Sequence, residues 1–190
     1  MKRAFTLIGL VGVLLGCSQS PDYLSNVRAF EEHKNRGDLE SALALFAEAP
    51  IMNFGVLGSL EGMAELRGIL EYDVALNTHL QFDGCEVTGR EVSCRVIETN
   101  DWLKTAGIDF IAYDENKFTF SSDNRIEAIA ATLSEDSAQR LGAAMTEFHE
   151  WGTTHHPMQY GALFSEDGKF IYSGQNAAKV MALLKLWRNN

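Results

Sequence analysis

The run Cys85-Glu86-Val87-Thr88-Gly89-Arg90-Glu91-Val92-Ser93-Cys94 constrains the fold of this chain more tightly than any other stretch. Gly89-Arg90 suits a two-residue hairpin turn, with glycine at the first turn position as a type II′ turn prefers. Pairing outward from that turn sets Thr88 opposite Glu91, Val87 opposite Val92, Glu86 opposite Ser93 and Cys85 opposite Cys94. If Thr88 and Glu91 close the hairpin as a hydrogen-bonded pair, alternation makes the two cysteines a non-hydrogen-bonded pair. The Cα atoms of such a pair lie about 4.5 Å apart, inside the range that a disulfide tolerates. The spacing predicts a Cys85–Cys94 bridge, against the alternative of two buried thiols.

Apolar periodicity orders the rest of the chain. Leu24, Val27 and Phe30 recur at helical spacing over residues 23–36. Gly37 then suits the position after a helix and Asp38 the cap of the next. Leu39, Leu43 and Phe46 share one face of a short second helix, which Pro50 ends. Residues 51–56 alternate as a strand that Gly58-Ser59 breaks. A third helix over 62–80 carries Met63, Leu66, Leu70 and Val74, with His79 favoured at its C-terminal end by the helix dipole. The hairpin follows, its second strand reaching about Thr99, and 100–107 forms a loop or one helical turn. Strands over 110–121, with a break near Glu115-Asn116, and 125–133 flank a Ser122-Asp123-Asn124 turn in which Asn124 can take a left-handed conformation. A fourth helix over 135–151 presents Ala138, Leu141, Met145 and Phe148, and His155-His156-Pro157 breaks it. Residues 158–173 are mixed. A last helix over 175–188 carries Val180, Met181, Leu184 and Trp187.

The N-terminus has its own pattern: Met1-Lys2-Arg3, a short apolar run over 4–16, then Cys17. A basic start, an apolar core and a small residue before a processing point make a secretory signal. Residues 5–16 are too short to span a bilayer, which takes about 18 or more apolar residues. Leu14-Leu15-Gly16-Cys17 resembles the lipobox of bacterial lipoproteins. That resemblance implies cleavage after residue 16, lipid on Cys17 and a membrane partner reached through that lipid. Ser18 in place of aspartate implies the outer membrane, facing the periplasm. Residues 17–23 then read as a tether. The net charge of −10 becomes more negative once Lys2 and Arg3 are removed, and repulsion excludes nucleic acid as a partner.

Helix, helix, strand, helix and then a meander of antiparallel strands is an α+β order. It resembles the nuclear transport factor 2-like superfamily, a cone whose curved antiparallel sheet wraps helices around a pocket. The residues that carry the resemblance are the helical pair around Gly37-Asp38, the Pro50-Ile51-Met52-Asn53-Phe54 strand leading to Gly62, and the run from Phe118 to Ile129. The cone core is expected over 24–134, with 135–190 a C-terminal helical extension packed on it. The superfamily includes ketosteroid isomerase and SnoaL-like cyclases as well as binders without catalysis, so fold does not choose among them.

The isomerase chemistry needs a carboxylate base near the first strand, yet no Asp or Glu occurs between Glu48 and Glu61, and Asn53 stands in that region. Expected pocket residues are Asn53, Tyr72, Trp102, Asp109 and Phe118. Asp109, if inward, would be the best acid–base group by desolvation, with Asp101 next. Against these stand solvent exposure of both aspartates and core packing of Tyr72. His149, His155 and His156 suggest a metal, but adjacent histidines diverge and helix termination explains them, so neither metal nor cofactor is expected. The sequence favours an envelope protein whose pocket binds a small apolar molecule or an envelope protein. The alternative is a cofactor-free acid–base enzyme, an isomerase, dehydratase or hydrolase of the SnoaL-like type. Self-association through the last helix, giving a homodimer, is the third reading.

Overall fold

The computed structural model describes residues 22–55 and 58–189. The expected signal, Cys17, most of the tether, and Val56 at the end of the expected first strand lie outside the described residues.

The chain opens with α1 (Tyr23–Arg36), whose N-cap Asp22 accepts a hydrogen bond from the Ser25 amide at 3.0 Å. Gly37, at φ 69°, ends it by turning left-handed, and Asp38 caps α2 (Leu39–Leu43). There the chain departs from the expected helix. Phe46 begins strand β1 (Phe46–Asn53), and Pro50 lies inside that strand. Proline is tolerated because the pairing of β1 shifts register between Phe46 and Ile51, so no ladder bond needs its missing N–H.

Strand β2 (Ser59–Glu61) folds back on β1 where only a break was expected. Helix α3 (Gly62–Ala75) ends five residues before the expected boundary. Asn77 adopts φ 52° and stops it, so His79 opens strand β3 (His79–Thr88) rather than closing a helix. Val74, expected on the buried stripe, is exposed, and Ile69 is buried instead.

Strands β3 and β4 (Glu91–Thr99) form the hairpin, with Thr88 opposite Glu91, Val87 opposite Val92 and Glu86 opposite Ser93. Beyond Glu86 the register shifts, and Asp83 pairs with Arg95. Gly84, at φ 58°, supplies this bulge next to Cys85. A disulfide joins Cys85 to Cys94, with Cα atoms 4.1 Å apart. Helix α4 (Asp101–Ala106) follows, then β5 (Ile111–Phe120) and β6 (Ile126–Leu133), with Asn124 left-handed at φ 64° in the turn between them.

The six strands form one open, curved sheet in the order β2-β1-β6-β5-β4-β3. The sheet is not wholly antiparallel as expected, because β1 runs parallel to β6. Its β3 edge is closed off by side chains of α1. Asn35 exchanges two hydrogen bonds with the Leu80 backbone, at 2.7 and 2.8 Å, and Glu31 and Arg28 bond the amide and carbonyl of Phe82. Covering an edge in this way blocks pairing with another chain.

The main core lies between α1, α3 and the inner face of the sheet. Phe30, Phe118 and Phe120 are fully buried there, and the Phe30 ring meets Phe46 and Phe118 edge-on at 5.4 and 5.9 Å. The C-terminal region adds α5 (Glu135–His155), α6 (Pro157–Gly161) and α7 (Gly174–Arg188). Helix α5 runs one turn past its expected end and buries little: Met145 is exposed, and Ser137, Phe148 and Gly152 are its buried residues. Helix α7 packs on α3 and α4 and buries Val180, Leu183 and Leu184 inside this chain. Among the described residues, no helix is long and apolar enough to cross a membrane.

Candidate functional site

Alternation along β4 places Val92, Cys94, Val96 and Glu98 on the inner face of the sheet. Three small apolar residues are thus followed by a carboxylate near the strand's end. Burying a carboxylate is costly unless its oxygens find donors. The Tyr113 hydroxyl, from the inner face of β5, donates to Glu98 Oε2 at 2.8 Å. Asn100 Nδ2 donates to Glu98 Oε1 at 2.8 Å, and Asn100 Oδ1 caps α4 by accepting from the Leu103 amide. One residue therefore ends the strand, starts the helix and orients the carboxyl.

Helix α3 brings a second carboxylate to the same place. Asp73 Oδ2 lies 2.9 Å from Lys34 Nζ of α1, and Thr78 Oγ1 approaches Asp73 Oδ1 at 3.4 Å. The Lys34 side chain is only 6% exposed, while that of Asp73 keeps 20%. Tyr72, the preceding residue, meets Phe170 and Tyr172 edge-on, with ring centroids 5.6 and 5.4 Å away. Phe170 and Tyr172 themselves lie 5.0 Å apart. Both come from the strap 162–173 that leads into α7. Asn176 fixes this strap: its buried amide donates to the Leu163 and Ile171 carbonyls at 3.0 and 2.7 Å. Gly68 lets the strap approach α3, because a Cβ there would stand 2.6 Å from the Tyr172 carbonyl oxygen.

The electrostatics follow from this burial. Burial raises the Glu98 carboxyl above the ordinary glutamate range, and the charge on Asp73 adds to that. Lys34 and the two hydrogen bonds oppose the rise without cancelling it. Burial likewise raises the phenols of Tyr72, Tyr113 and Tyr172, and Asp73 adds to the rise in all three. Six side chains from α1, α3, β4, β5 and the strap thus share one field. Glu98, Tyr113, Tyr72, Asp73 and Tyr172 are each half-buried rather than sealed. A cleft of about 790 Å³ lies between β2, the start of α3 and the strap. Tyr172 lines that cleft, and the charges of Asp73 and Glu98 add to the rise of its phenol.

Of the residues expected in the pocket, Tyr72 joins this cluster and others do not. Asn53 is exposed at the end of β1, where its side chain accepts from the Gly55 amide at 2.8 Å, so it holds a turn. Asp109 is exposed in the link between α4 and β5. Asp101 sits in the first turn of α4 and accepts a hydrogen bond from Asn77 at 2.6 Å. Phe118 is wholly buried core. Trp102 is half-buried and packs between the clusters around Leu103 and Leu184. Among the described residues, no three His, Cys, Asp or Glu side chains converge as metal ligands. His149 faces the Tyr160 hydroxyl at 3.2 Å, and His155 faces the Trp151 carbonyl at 3.0 Å. Sequence reasoning missed Lys34, Asp73, Glu98, Tyr113 and Tyr172. For Glu98 a signal existed, since the hairpin register already put it in line with Val92, Cys94 and Val96.

No family model matches this sequence, and no curated protein matches it. Solved structures do match. The epoxide hydrolase/cyclase-like enzyme SalBIII, of pyran ring formation in the polyether salinomycin, superposes with a TM-score of 0.54 at 13% identity. That likeness covers 60% of this chain and 92% of SalBIII. An NTF2-like protein of unknown function from Cytophaga hutchinsonii gives a TM-score of 0.53 at 14% identity over 66% of this chain and 98% of its own. RV0760c from Mycobacterium tuberculosis gives 0.51 at 11% identity, over 62% of this chain and 98% of its own. At such identities the likeness concerns backbone alone: this chain has the nuclear transport factor 2-like fold, extended by further helices.

Proposed function

We propose that this protein is a lipid-anchored envelope protein whose cone takes up a small, mainly apolar molecule, with the Glu98–Tyr113 pair meeting the one polar group of that molecule. The observation that carries the pocket reading is Glu98 itself. It is a half-buried carboxyl on the inner face of the sheet, oriented by Tyr113 and Asn100. Pockets for small ligands pair an apolar lining with a few placed polar groups. The anchor rests on Leu14-Leu15-Gly16-Cys17. Labelled palmitate should enter the wild-type chain in a bacterial host and not Cys17→Ala; equal labelling of both would refute the anchor.

A second reading, cofactor-free acid–base turnover, moves from the exposed Asp109 to Glu98. A carboxyl raised by burial can hold a proton above the ordinary glutamate range and give it to a substrate. It is the weaker of the two, because the other carboxylate of the cluster, Asp73, is already paired with Lys34. A panel of small ketones, epoxides and alcohols distinguishes them. Saturable binding with no conversion supports the binder. Conversion lost in Glu98→Gln with binding retained supports the enzyme.

A further inference from the structure

The two edges of the sheet are treated differently. The β3 edge is closed by side chains of α1. The β2 edge instead borders the cleft of about 790 Å³, which Ser59, Leu60 and Glu61 line on one side and Lys169, Phe170, Ile171 and Tyr172 on the other. No backbone hydrogen bond joins β2 to the strap among the described residues. An extended strand edge and an extended strap thus face one cleft without pairing.

The register of β2 says which of its groups face outward. Phe54 donates to the Gly58 carbonyl at 2.9 Å, and Asn53 lies opposite Ser59. Alternation then makes Ser59 a non-hydrogen-bonded partner of Asn53, so the Ser59 N–H and C=O both point away from β1. The Glu61 amide, on the same outer side, is already taken by Glu65 Oε2 at 2.7 Å. One residue, Ser59, is therefore left with a free donor and a free acceptor in line, which is what a single residue of an added strand needs.

Side chains fix the chemistry of that strand. Leu60 stands opposite the buried Met52 and packs on the main core, as Tyr172 does, whereas Ser59 and Glu61 are exposed on the other face. An added residue opposite Ser59 shares the face of Glu61, and its two neighbours share the face of Leu60, on the side of Tyr172. Among the described residues no Lys, Arg or His pairs with Glu61 or Glu65. Lys169, across the cleft, is itself 3.8 Å from Asp167. The open edge is net acidic, which favours a basic occupant and opposes pairing with a second copy, whose Glu61 and Glu65 would meet these.

We infer that the β2 edge takes up an extended peptide of a partner protein, with a lysine or arginine opposite Ser59 and an apolar residue on each side of it. The peptide adds a strand to the sheet, its apolar side chains packing toward Phe170 and Tyr172 and its cation toward Glu61. This site is separate from Glu98 and does not rest on the pocket reading.

The test is fluorescence anisotropy on the full chain in a nonionic detergent, with the capped, labelled pentapeptide Thr-Val-Lys-Val-Thr. Two control peptides carry glutamate in place of the lysine, or an N-methyl group on the lysine amide. Each control should bind at least about tenfold more weakly, a difference of about 1.4 kcal/mol. Glu61→Lys should reverse the preference between the lysine and glutamate peptides. Ser59→Pro removes the outward donor without touching the β1–β2 ladder and should abolish binding. In hydrogen exchange the Ser59 amide should be fast alone and at least about tenfold slower with the lysine peptide. The wild-type comparison of the three peptides decides the matter even if a variant fails to fold. If the N-methylated or the glutamate peptide binds as tightly as the parent, or if none binds, the inference falls. A dimer in sedimentation that Ser59→Pro dissolves would assign the edge to a second copy and overturn it as well. None of these outcomes bears on the Glu98 pocket.

Discussion

Glu98 shows how much one residue's environment decides. Its folded-state carboxyl is raised, so the folded chain binds more protons than the unfolded chain between the ordinary glutamate value and the raised one. Stability must therefore fall as pH rises through that window. Denaturant titrations from about pH 4 upward should show that decline in the wild type and a flatter profile in Glu98→Gln. Lys34 is the opposite case. Lys34→Met would leave Asp73 buried without its partner, and because Asp73 keeps some solvent contact the loss should be about 2–3 kcal/mol. A loss near zero would mean that water already satisfies Asp73. Phe118, expected in the pocket, is core instead, and Phe118→Ala should cost about 3–5 kcal/mol in the same experiment. Periodicity alone could not tell these roles apart. An inward residue on a strand reads the same whether it faces a cavity or a packed ring.

Elements were legible where local chemistry and periodicity agreed. Gly37-Asp38, Gly89-Arg90 and Asn124 each mark a turn whose backbone they alone favour, and each turn stands where those residues are. They were illegible where a pairing elsewhere made the decision. Phe46 continues a helical stripe by spacing but joins Ile126 across the sheet. Pro50 looks like an end but falls in a gap of the β1–β6 ladder. The third helix keeps its apolar spacing past Ala75, and the left-handed Asn77 ends it regardless. The bulge at Gly84 offsets the hairpin register by one residue beside Cys85, a shift that no alternation rule could supply. The disulfide closes a short loop, so Cys85→Ser with Cys94→Ser should lower stability by about 2 kcal/mol. Asn35 guards the sheet edge through two hydrogen bonds, and Asn35→Ala should cost about 1–3 kcal/mol and increase self-association on storage.

For the whole molecule, the C-terminal extension is part of the site. The strap 162–173 supplies Phe170 and Tyr172, and α7 holds it down on α3. The sequence showed that helices follow the sheet, but not that a stretch with no clear period would pack across α3. Gly68 is the contact that lets it do so. Gly68→Ala should lift the strap at a cost of about 1–3 kcal/mol while leaving the sheet intact by far-ultraviolet circular dichroism.

The central claim is that burial raises the Glu98 carboxyl on the inner face of the sheet, where it forms no ion pair among the described residues. Carbon-detected NMR titration of the Glu98 side chain, assigned by its loss in Glu98→Gln, measures this directly. The midpoint should lie above the ordinary glutamate value. A midpoint at or below the ordinary value in the free protein would contradict the claim.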